Sequence, residues 1–283
     1  MAAYRPRHLA PARTPSQPPF PPAGSSRRSL LRGGALGMAT LGVGASGALG
    51  AAAHAAPAAA EPAAPAAATG IHGQDVSAWQ GRVDWAAQRE LGSRFAYVKA
   101  TEGRSYRSPD FDHQYTGAGD AGLVRGGYHF ARPDSGGPEE QVDFFLNNGG
   151  GWSEDGRTLP GMVDLEGYRG LPRDYGLGQQ EMREWISAFL VRYQDSVGRR
   201  PVVYTNYYWW MDVVGDWTPT NTPLFLAAYR AEPPVLLPGR WWGWELWQYS
   251  DSGPFAGDSN LWHGTQAQFE SFVCDVDYDA HGI

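Results

Sequence analysis

The sequence predicts an α/β protein whose folded part is a modified, partly irregular (β/α)8 barrel of the TIM type. From Gly70 onward, short apolar runs typical of strands alternate with segments of helical periodicity, and this alternation indicates a parallel sheet with crossover connections. Eight such strands are expected, and eight parallel strands close into a barrel rather than an open sheet. Residues 230–242 are rich in Pro and Trp, and residues 250–268 in Gly, Ser and Asp, so we expect short or missing helices there.

The eight strands are predicted from runs of apolar, β-branched or aromatic residues that polar or turn-forming residues bound. In chain order they are IHGQDVS, RFAYVKAT, VRGGYHFA, LPGMVDLE, PVVYTN, LFLAAYR, GWELWQYS and FVCDVDYD. Helices are predicted near residues 83–91, 110–121, 138–148 and 179–197. The first half therefore has the regular alternation of a barrel, and the second half does not.

Residues 1–69 follow a different pattern, with abundant Ala and Pro, almost no acidic residues and no periodicity. Within them, Arg27 and Arg28 precede a weakly apolar stretch near residues 33–52, and an Ala-His-Ala cleavage site follows. This order is typical of a twin-arginine-type signal peptide, and a disordered basic tail is the alternative. We predict a signal peptide and an Ala/Pro-rich disordered segment, then a secreted catalytic barrel over 70–283 without stable membrane insertion after signal removal.

The net charge argues against one class of partner, and the cysteine content excludes an internal disulfide. From Gly70 onward only 17 Lys and Arg residues accompany 29 Asp and Glu residues, so the formal charge there is −12. Phosphate binding needs clustered basic side chains, and this charge therefore excludes nucleic acid as a partner. Cys274 is the single cysteine, so no internal disulfide can form and the core alone must hold the exported domain.

Nearly all of the predicted strands end on polar or aromatic side chains. They are Asp75, Glu102, Tyr128, His129, Asp164, Glu166, Tyr204, Asn206, Tyr229, Gln248 and Asp277. In a parallel barrel the carboxyl ends of all strands meet at one face, where such barrels hold their active sites. We therefore expect these side chains to converge on one functional mouth.

The stretch GMVDLEG, residues 161–167, ends an apolar strand on Asp164 and Glu166. Residues i and i+2 of a strand point the same way, about 6.5–7 Å apart at Cα, so both carboxylates would share one cavity while Leu165 faces the helices. Two close carboxylates resist ionising together, and one pKa rises. A protonated acid beside an ionised partner is the arrangement that cleaves glycosidic bonds. A solvated surface pair is the alternative.

Seven ordered motifs carry a resemblance to a known family. They are GQDVSAWQGRVDW, FAYVKATEG, GGYHFARP, MVDLEG, GRRPVVYTN, LWQYSDSG and VDYD, from about residue 71 to 279. Together they resemble glycoside hydrolase family 25, the Chalaropsis-type lysozymes. The resemblance implies an N-acetylmuramidase that hydrolyses the β-1,4 bond between N-acetylmuramic acid and N-acetylglucosamine in peptidoglycan.

The resemblance also implies the catalytic residues. Glu166 matches the general acid of the family, Asp164 its partner in the D-x-E pair, and Asp75 the acid of the first strand. Asp277 matches the acid of a C-terminal V-D-x-N motif, which is V-D-Y-D here, with Asp279 in place of Asn. We expect Glu166 to hold its proton and donate it to the departing sugar oxygen. Asp164 is expected to stay ionised and orient the 2-acetamido group, with retention of configuration.

Polar side chains around these acids are candidates for binding sugar hydroxyl and acetamido groups. They are Tyr128, His129, Tyr204, Tyr229, Gln248 and Glu102. Trp79, Trp209 and Trp247 are candidates for ring stacking, with core packing as the alternative. His129 is equally consistent with a structural role, and Lys99, the only lysine, is expected to neutralise an acid in a buried pair.

The histidines lack metal-ligand spacing, so we expect no metal and no cofactor, and a monomer that binds peptidoglycan glycan strands. Two other functions remain open. A wall-binding module would keep a sugar groove without needing a protonatable group at Glu166. A chitinase-type hydrolase would carry D-x-x-D-x-D-x-E, but residues 161–163 are Gly, Met and Val where that motif has acids.

Overall fold

The computed structural model describes residues 70–280, so the predicted signal and linker segment over residues 1–69 lies outside the described residues. Nine strands form one sheet. They are β1 (Ile71–Val76), β2 (Phe95–Glu102), β3 (Tyr106–Arg107), β4 (Val124–Phe130), β5 (Met162–Asp164), β6 (Val202–Asn206), β7 (Leu224–Ala227), β8 (Leu246–Ser250) and β9 (Asp258–Trp262). The order is β1-β9-β8-β7-β6-β5-β4-β2-β3, and β1 also pairs with β2. Eight strands therefore close into the predicted barrel, and β3 adds a hairpin to β2.

Six α-helices accompany the strands. They are α1 (Trp85–Glu90), α2 (Phe111–Asp120), α3 (Pro138–Leu146), α4 (Gln179–Val197), α5 (Tyr207–Val213) and α6 (Gln266–Cys274). The first four lie where helices are predicted. Among the described residues no helix separates β7 from β8, as the Pro- and Trp-rich composition of that segment predicts. No helix within residues 70–280 has the length and apolar character to cross a membrane.

The irregular part of the barrel is its closing strand. β9 runs antiparallel to both of its neighbours, β8 and β1, whereas the other barrel strands run parallel to one another. An antiparallel strand starts at the end of the barrel where its parallel neighbours finish. Asp258, the first residue of β9, therefore lies at the carboxyl ends of the parallel strands.

The predicted eighth strand, FVCDVDYD, is wrong. Its first three residues are the end of α6, and the residues after them form a turn. Thr265 starts α6 with a capping box to Gln268, and Phe269, Phe272 and Val273 then occupy one helical face. The spacing of these apolar residues is helical, and it outweighs the local alternation that suggested a strand.

α6 closes the amino-terminal end of the barrel. Phe269 and Phe272 contact the Trp262 ring of β9, with ring centroids 5.3 and 4.8 Å apart. Buried Arg199, which precedes β6, donates to the Phe272 carbonyl at 3.1 Å and lies 4.9 Å from the Tyr278 ring centroid. Aromatic packing thus fills the end of the barrel opposite the carboxyl ends of its parallel strands.

Candidate active site

Asp75 and Asp258 lie side by side at the mouth of the barrel. They are direct partners in the pairing of β1 with β9. Gly257 permits this approach, since its φ is +80° and a Cβ there would collide with the Asp75 carbonyl oxygen. The close packing of these two strands therefore sets the separation of the two acids.

Gln248 connects this acid pair to two tyrosines. Its Nε2 donates to Asp75 Oδ2 at 2.8 Å and to Asp258 Oδ2 at 3.1 Å. Its Oε1 accepts from the hydroxyls of Tyr204 at 2.8 Å and Tyr229 at 3.0 Å. Because a phenol donates readily and a carboxylate only accepts, both ends of the Gln248 amide are fixed in orientation.

The environment of Asp75 opposes its ionisation. Burial raises the pKa of Asp75 from 3.8 to about 6, and hydrogen bonds from Gln248 and Asn260 lower it toward its ordinary value. Asn260 Nδ2 donates to the same Oδ2 atom at 2.9 Å. The two amides thus stabilise the carboxylate form of a side chain that the fold partly buries.

The segment that carries Asp164 and Glu166 is held from both sides. The Asp164 carbonyl accepts from the Ala131 amide at 2.9 Å, and the Leu165 amide donates to the Tyr204 carbonyl at 2.9 Å. The Tyr175 hydroxyl donates to the Glu166 carbonyl at 2.6 Å. Leu165 packs into the layer between barrel and helices, as predicted. Asp164 is buried, whereas Glu166 is partly exposed at the mouth.

Burial raises the pKa of Asp164 well above its ordinary value, and the negative charge of Glu166 raises it further. Lys99 acts in the opposite direction. Asp164 Oδ1 is buried without a hydrogen-bond partner in the structure. The prediction that Asp164 stays ionised therefore conflicts with its surroundings, because a buried carboxyl beside a second acid favours the protonated form.

Four carboxylates converge around Tyr128. Burial raises the pKa of its phenol well above the ordinary value, and the negative charges of four acids raise it further. These acids are Asp75, Asp164, Asp258 and Glu166. Tyr128, Tyr204, Tyr229 and Gln248 thus lie where the sequence predicts them, at the acid cluster. Their contacts with a substrate remain a prediction.

Glu102 lies in an ion-pair network at the same mouth. Its Oε2 accepts from Lys99 Nζ at 2.8 Å and its Oε1 from an Arg132 nitrogen at 3.1 Å. Arg132 also pairs with Asp134 at 2.9 Å. Lys99 therefore neutralises an acid in a largely buried pair, as expected. Both Glu102 oxygens already have cationic partners, which argues against Glu102 as a sugar ligand.

His129 lies outside the barrel and away from the acids. One ring nitrogen is 2.8 Å from Thr101 Oγ1 and the other 3.0 Å from Gln141 Oε1. The ring stacks on Phe189, and burial lowers the pKa of His129 to about 4. The prediction that the His129 side chain lies at the substrate site is therefore wrong. Adjacent residues of a strand point to opposite faces, so the Tyr128 side chain points into the barrel and the His129 side chain points out of it.

Asp277 lies at the opposite end of the barrel from the acid cluster. It is exposed in the turn after α6, next to Tyr278. The Tyr278 carbonyl accepts at 3.4 Å from Asn221, which precedes β7 at the amino-terminal end. The D-x-N motif that reaches the site is Asp258-Ser259-Asn260. The signal that identifies it is a D-x-N start to an apolar strand, whereas VDYD follows a helix.

The cluster has the composition of a site that hydrolyses glycosidic bonds. A buried acid with a raised pKa, a second acid at the mouth and two further acids fixed by amides can donate a proton and stabilise positive charge. Within residues 70–280, no group of three or more His, Cys, Asp or Glu side chains is arranged to hold a metal ion.

Comparison with known proteins agrees with this geometry. A profile described as Glycosyl hydrolases family 25 matches residues 74–258, a range that includes Asp258 and excludes Asp277. The chain is 45% identical to an N,O-diacetylmuramidase of Arthroderma benhamiae over 208 residues, covering 73% of this chain and 88% of the relative. It is 40% identical to Lysozyme M1 of Streptomyces globisporus over 207 residues, covering 71% and 70%.

Solved structures show the same similarity. A family GH25 lysozyme from Aspergillus fumigatus aligns with a TM-score of 0.71 and 42% identity, covering 72% of this chain and 99% of that one. A bacterial lysozyme from Streptomyces coelicolor aligns with a TM-score of 0.69 and 37% identity, covering 74% and 100%. The barrel, its cluster of four carboxylates and these matches together establish that the chain belongs to glycosyl hydrolase family 25.

Proposed function

We propose that this chain is a lysozyme, an N-acetylmuramidase that hydrolyses the β-1,4 bond between N-acetylmuramic acid and N-acetylglucosamine in bacterial peptidoglycan. The observation that carries the proposal is the pairing of buried Asp164 with partly exposed Glu166 beside two further acids, Asp75 and Asp258. The names of the relatives, a lysozyme and an N,O-diacetylmuramidase, support this substrate.

Digestion of purified peptidoglycan, followed by mass spectrometry of the products, tests the proposal. A muramidase creates new reducing ends on muramic acid and releases no stem peptides. New reducing ends on glucosamine would make the enzyme a glucosaminidase, and free peptides would make it an amidase. Binding without any cleavage would indicate a wall-binding module, and cleavage of chitin alone would indicate a chitinase-type enzyme.

In the mechanism that we propose, one proton is shared by the acid pair. Asp164 holds it in the free enzyme, because burial and Glu166 favour its neutral form. A substrate acetamido N–H that donates to the unpartnered Asp164 Oδ1 would favour the ionised form and move the proton to Glu166. Glu166 then protonates the departing sugar oxygen, which supplies roughly 10²- to 10⁴-fold in rate.

The 2-acetamido oxygen of the muramic sugar attacks the anomeric carbon as the glycosidic bond breaks. Water then adds to that carbon, its proton returns to Glu166, and the configuration is retained. Asp75 and Asp258 position the water and the sugar in this scheme, and Asp258 takes the place that the sequence analysis gives to Asp277. Replacement of Asp164 by Asn should reduce turnover without trapping a glycosyl-enzyme, whereas an adduct on Asp164 would establish a direct nucleophile.

We also propose export through the twin-arginine route, followed by action outside the cell. Arg27 and Arg28 support this proposal, together with a domain that folds without a disulfide. Replacing both arginines by Lys should leave the precursor in the cytoplasm, and normal secretion of that variant would contradict the proposal.

A further inference from the structure

Trp79 is an exposed indole on a turn that the fold holds firmly. The turn follows β1 directly, only four residues after Asp75, and the Trp79 side chain is 76% exposed. A capping box joins Ser77 to Gln80, and buried Gln114 donates to the carbonyls of Ser77 and Gly81, both at 2.8 Å. Exposure of a large apolar ring is costly, and here it occurs on an ordered turn rather than on a loose loop.

Tyr208 is a second exposed ring in an equally ordered setting. It lies in the first turn of α5, immediately after β6, and is 75% exposed. Asn206 caps the helix by accepting from the Trp209 amide at 2.9 Å, and Trp209 and Trp210 are buried beneath it. The Tyr207 ring meets the Tyr208 ring edge-on, with centroids 5.4 Å apart. Tyr208 therefore also presents a fixed face to solvent.

The two rings stand on opposite rims of the mouth. β1 and β6 are four strands apart in either direction around the eight-stranded ring. From strand spacing and tilt, such a barrel is about 15 Å across between strand axes. The acid cluster lies between the two rims, and Tyr229, itself 55% exposed, follows β7 on one side of that path.

We propose that Trp79 and Tyr208 are two platforms that bind sugar rings at the two ends of one glycan strand extended across the mouth. The apolar faces of sugar rings stack on aromatic side chains, and this contact needs no charge on the glycan beside the acids between the platforms. Nucleic acid is excluded by those same acids. The inference rests on the proposed function. It adds two binding sites for sugar rings that lie farther along the glycan strand than the two sugars joined by the cleaved bond.

Steady-state kinetics on two substrates test the proposal, with long glycan strands compared with the disaccharide N-acetylmuramyl-β-1,4-N-acetylglucosamine, which contains a single cleavable bond. On long strands, Trp79→Ala and Tyr208→Ala should each raise KM by about tenfold at unchanged kcat, the effect of losing one stacked ring. On the disaccharide, which occupies only the two positions beside the cleaved bond and reaches neither rim, KM should change by less than about twofold. Trp79→Phe and Tyr208→Phe keep an aromatic face and should restore most of the affinity.

Trp242→Ala is the matched control, because Trp242 is 60% exposed but precedes β8 at the other end of the barrel. Its KM should match the wild type on both substrates. Equal KM values for all variants on long strands, or an equal rise on both substrates, would overturn the proposal. A binding measurement separates failure of the platforms from failure of the proposed function. It compares the affinity of Glu166→Gln protein for long strands with that of the double variant Glu166→Gln, Trp79→Ala. The platforms predict weaker binding even if no bond is cleaved.

Discussion

Replacement of Gln248 by Glu exchanges the amide NH2 group for an oxygen at the centre of the acid cluster and conserves the shape of the side chain. The amide nitrogen donates to Asp75 at 2.8 Å and to Asp258 at 3.1 Å. An oxygen at that position donates to at most one of them, and only when it is protonated. The tyrosine hydroxyls continue to donate to the other oxygen. At least one acid therefore loses a donor and gains an acidic neighbour.

The magnitude follows from these contacts. A hydrogen bond to a charged group contributes about 1.5–3 kcal/mol, and one pKa unit corresponds to about 1.4 kcal/mol. The pKa of Asp75, already raised to about 6 by burial, should therefore rise by a further one to two units, roughly, when the Gln248 donor is lost. If ionised Asp75 is required, activity falls as pH drops through this higher pKa.

The assay is the pH profile of kcat/KM, measured as reducing ends released from soluble glycan strands. We expect the acidic limb of the Gln248→Glu profile to move up by about one to two pH units, and activity at pH 5 to fall by roughly 10- to 100-fold. Gln180→Glu is the matched control, since Gln180 donates to Glu184 at 2.9 Å on an exposed helix face. A uniform loss with an unshifted profile would refute the positioning role.

Further predictions concern other acids. Asp258→Asn should lower kcat/KM at least 100-fold, whereas Asp277→Asn should stay within about twofold of wild type; equal losses would refute the assignment of the D-x-N motif. Burial raises the pKa of Glu245 from 4.5 to about 8, so its neutral form stabilises the fold at low pH, and this stability is lost as pH rises from about 4.5 to 8. Glu245→Gln should therefore increase the free energy of unfolding at pH 8 by as much as about 4 kcal/mol, give no gain at pH 4, and leave kcat unchanged. Denaturant unfolding at the two pH values measures this difference, and an equal gain at both would contradict it.

The regular part of the barrel was predictable because short stretches of sequence specify its strands and helices. Parallel barrel strands buried on both faces appear as apolar runs, and the helices between them show helical spacing. The same period of two also decides between Tyr128 and His129, since adjacent residues on β4 face opposite sides. Applied to that pair, the rule places only Tyr128 at the mouth.

The closing strand and the acid that it carries depend on long-range pairing. β9 is antiparallel, it follows a Gly- and Ser-rich segment, and its register with β1 is what brings Asp258 to Asp75. A four-residue motif such as VDYD contains no information on which end of the barrel it reaches. The contacts of Gln248 are equally non-local, because its two acids and two tyrosines come from four different parts of the chain.

The most direct test of the account is the turnover of Glu166→Gln protein on peptidoglycan. Gln has the shape of Glu but no acidic proton, so the variant should bind glycan strands and unfold like the wild type while its kcat falls by roughly 10²- to 10⁴-fold or more. Circular dichroism and strand binding establish that the fold and the groove are intact. Clearance of cell walls by this folded variant at a near wild-type rate would contradict the assignment of Glu166 as the proton donor, and with it the proposed chemistry of the acid cluster.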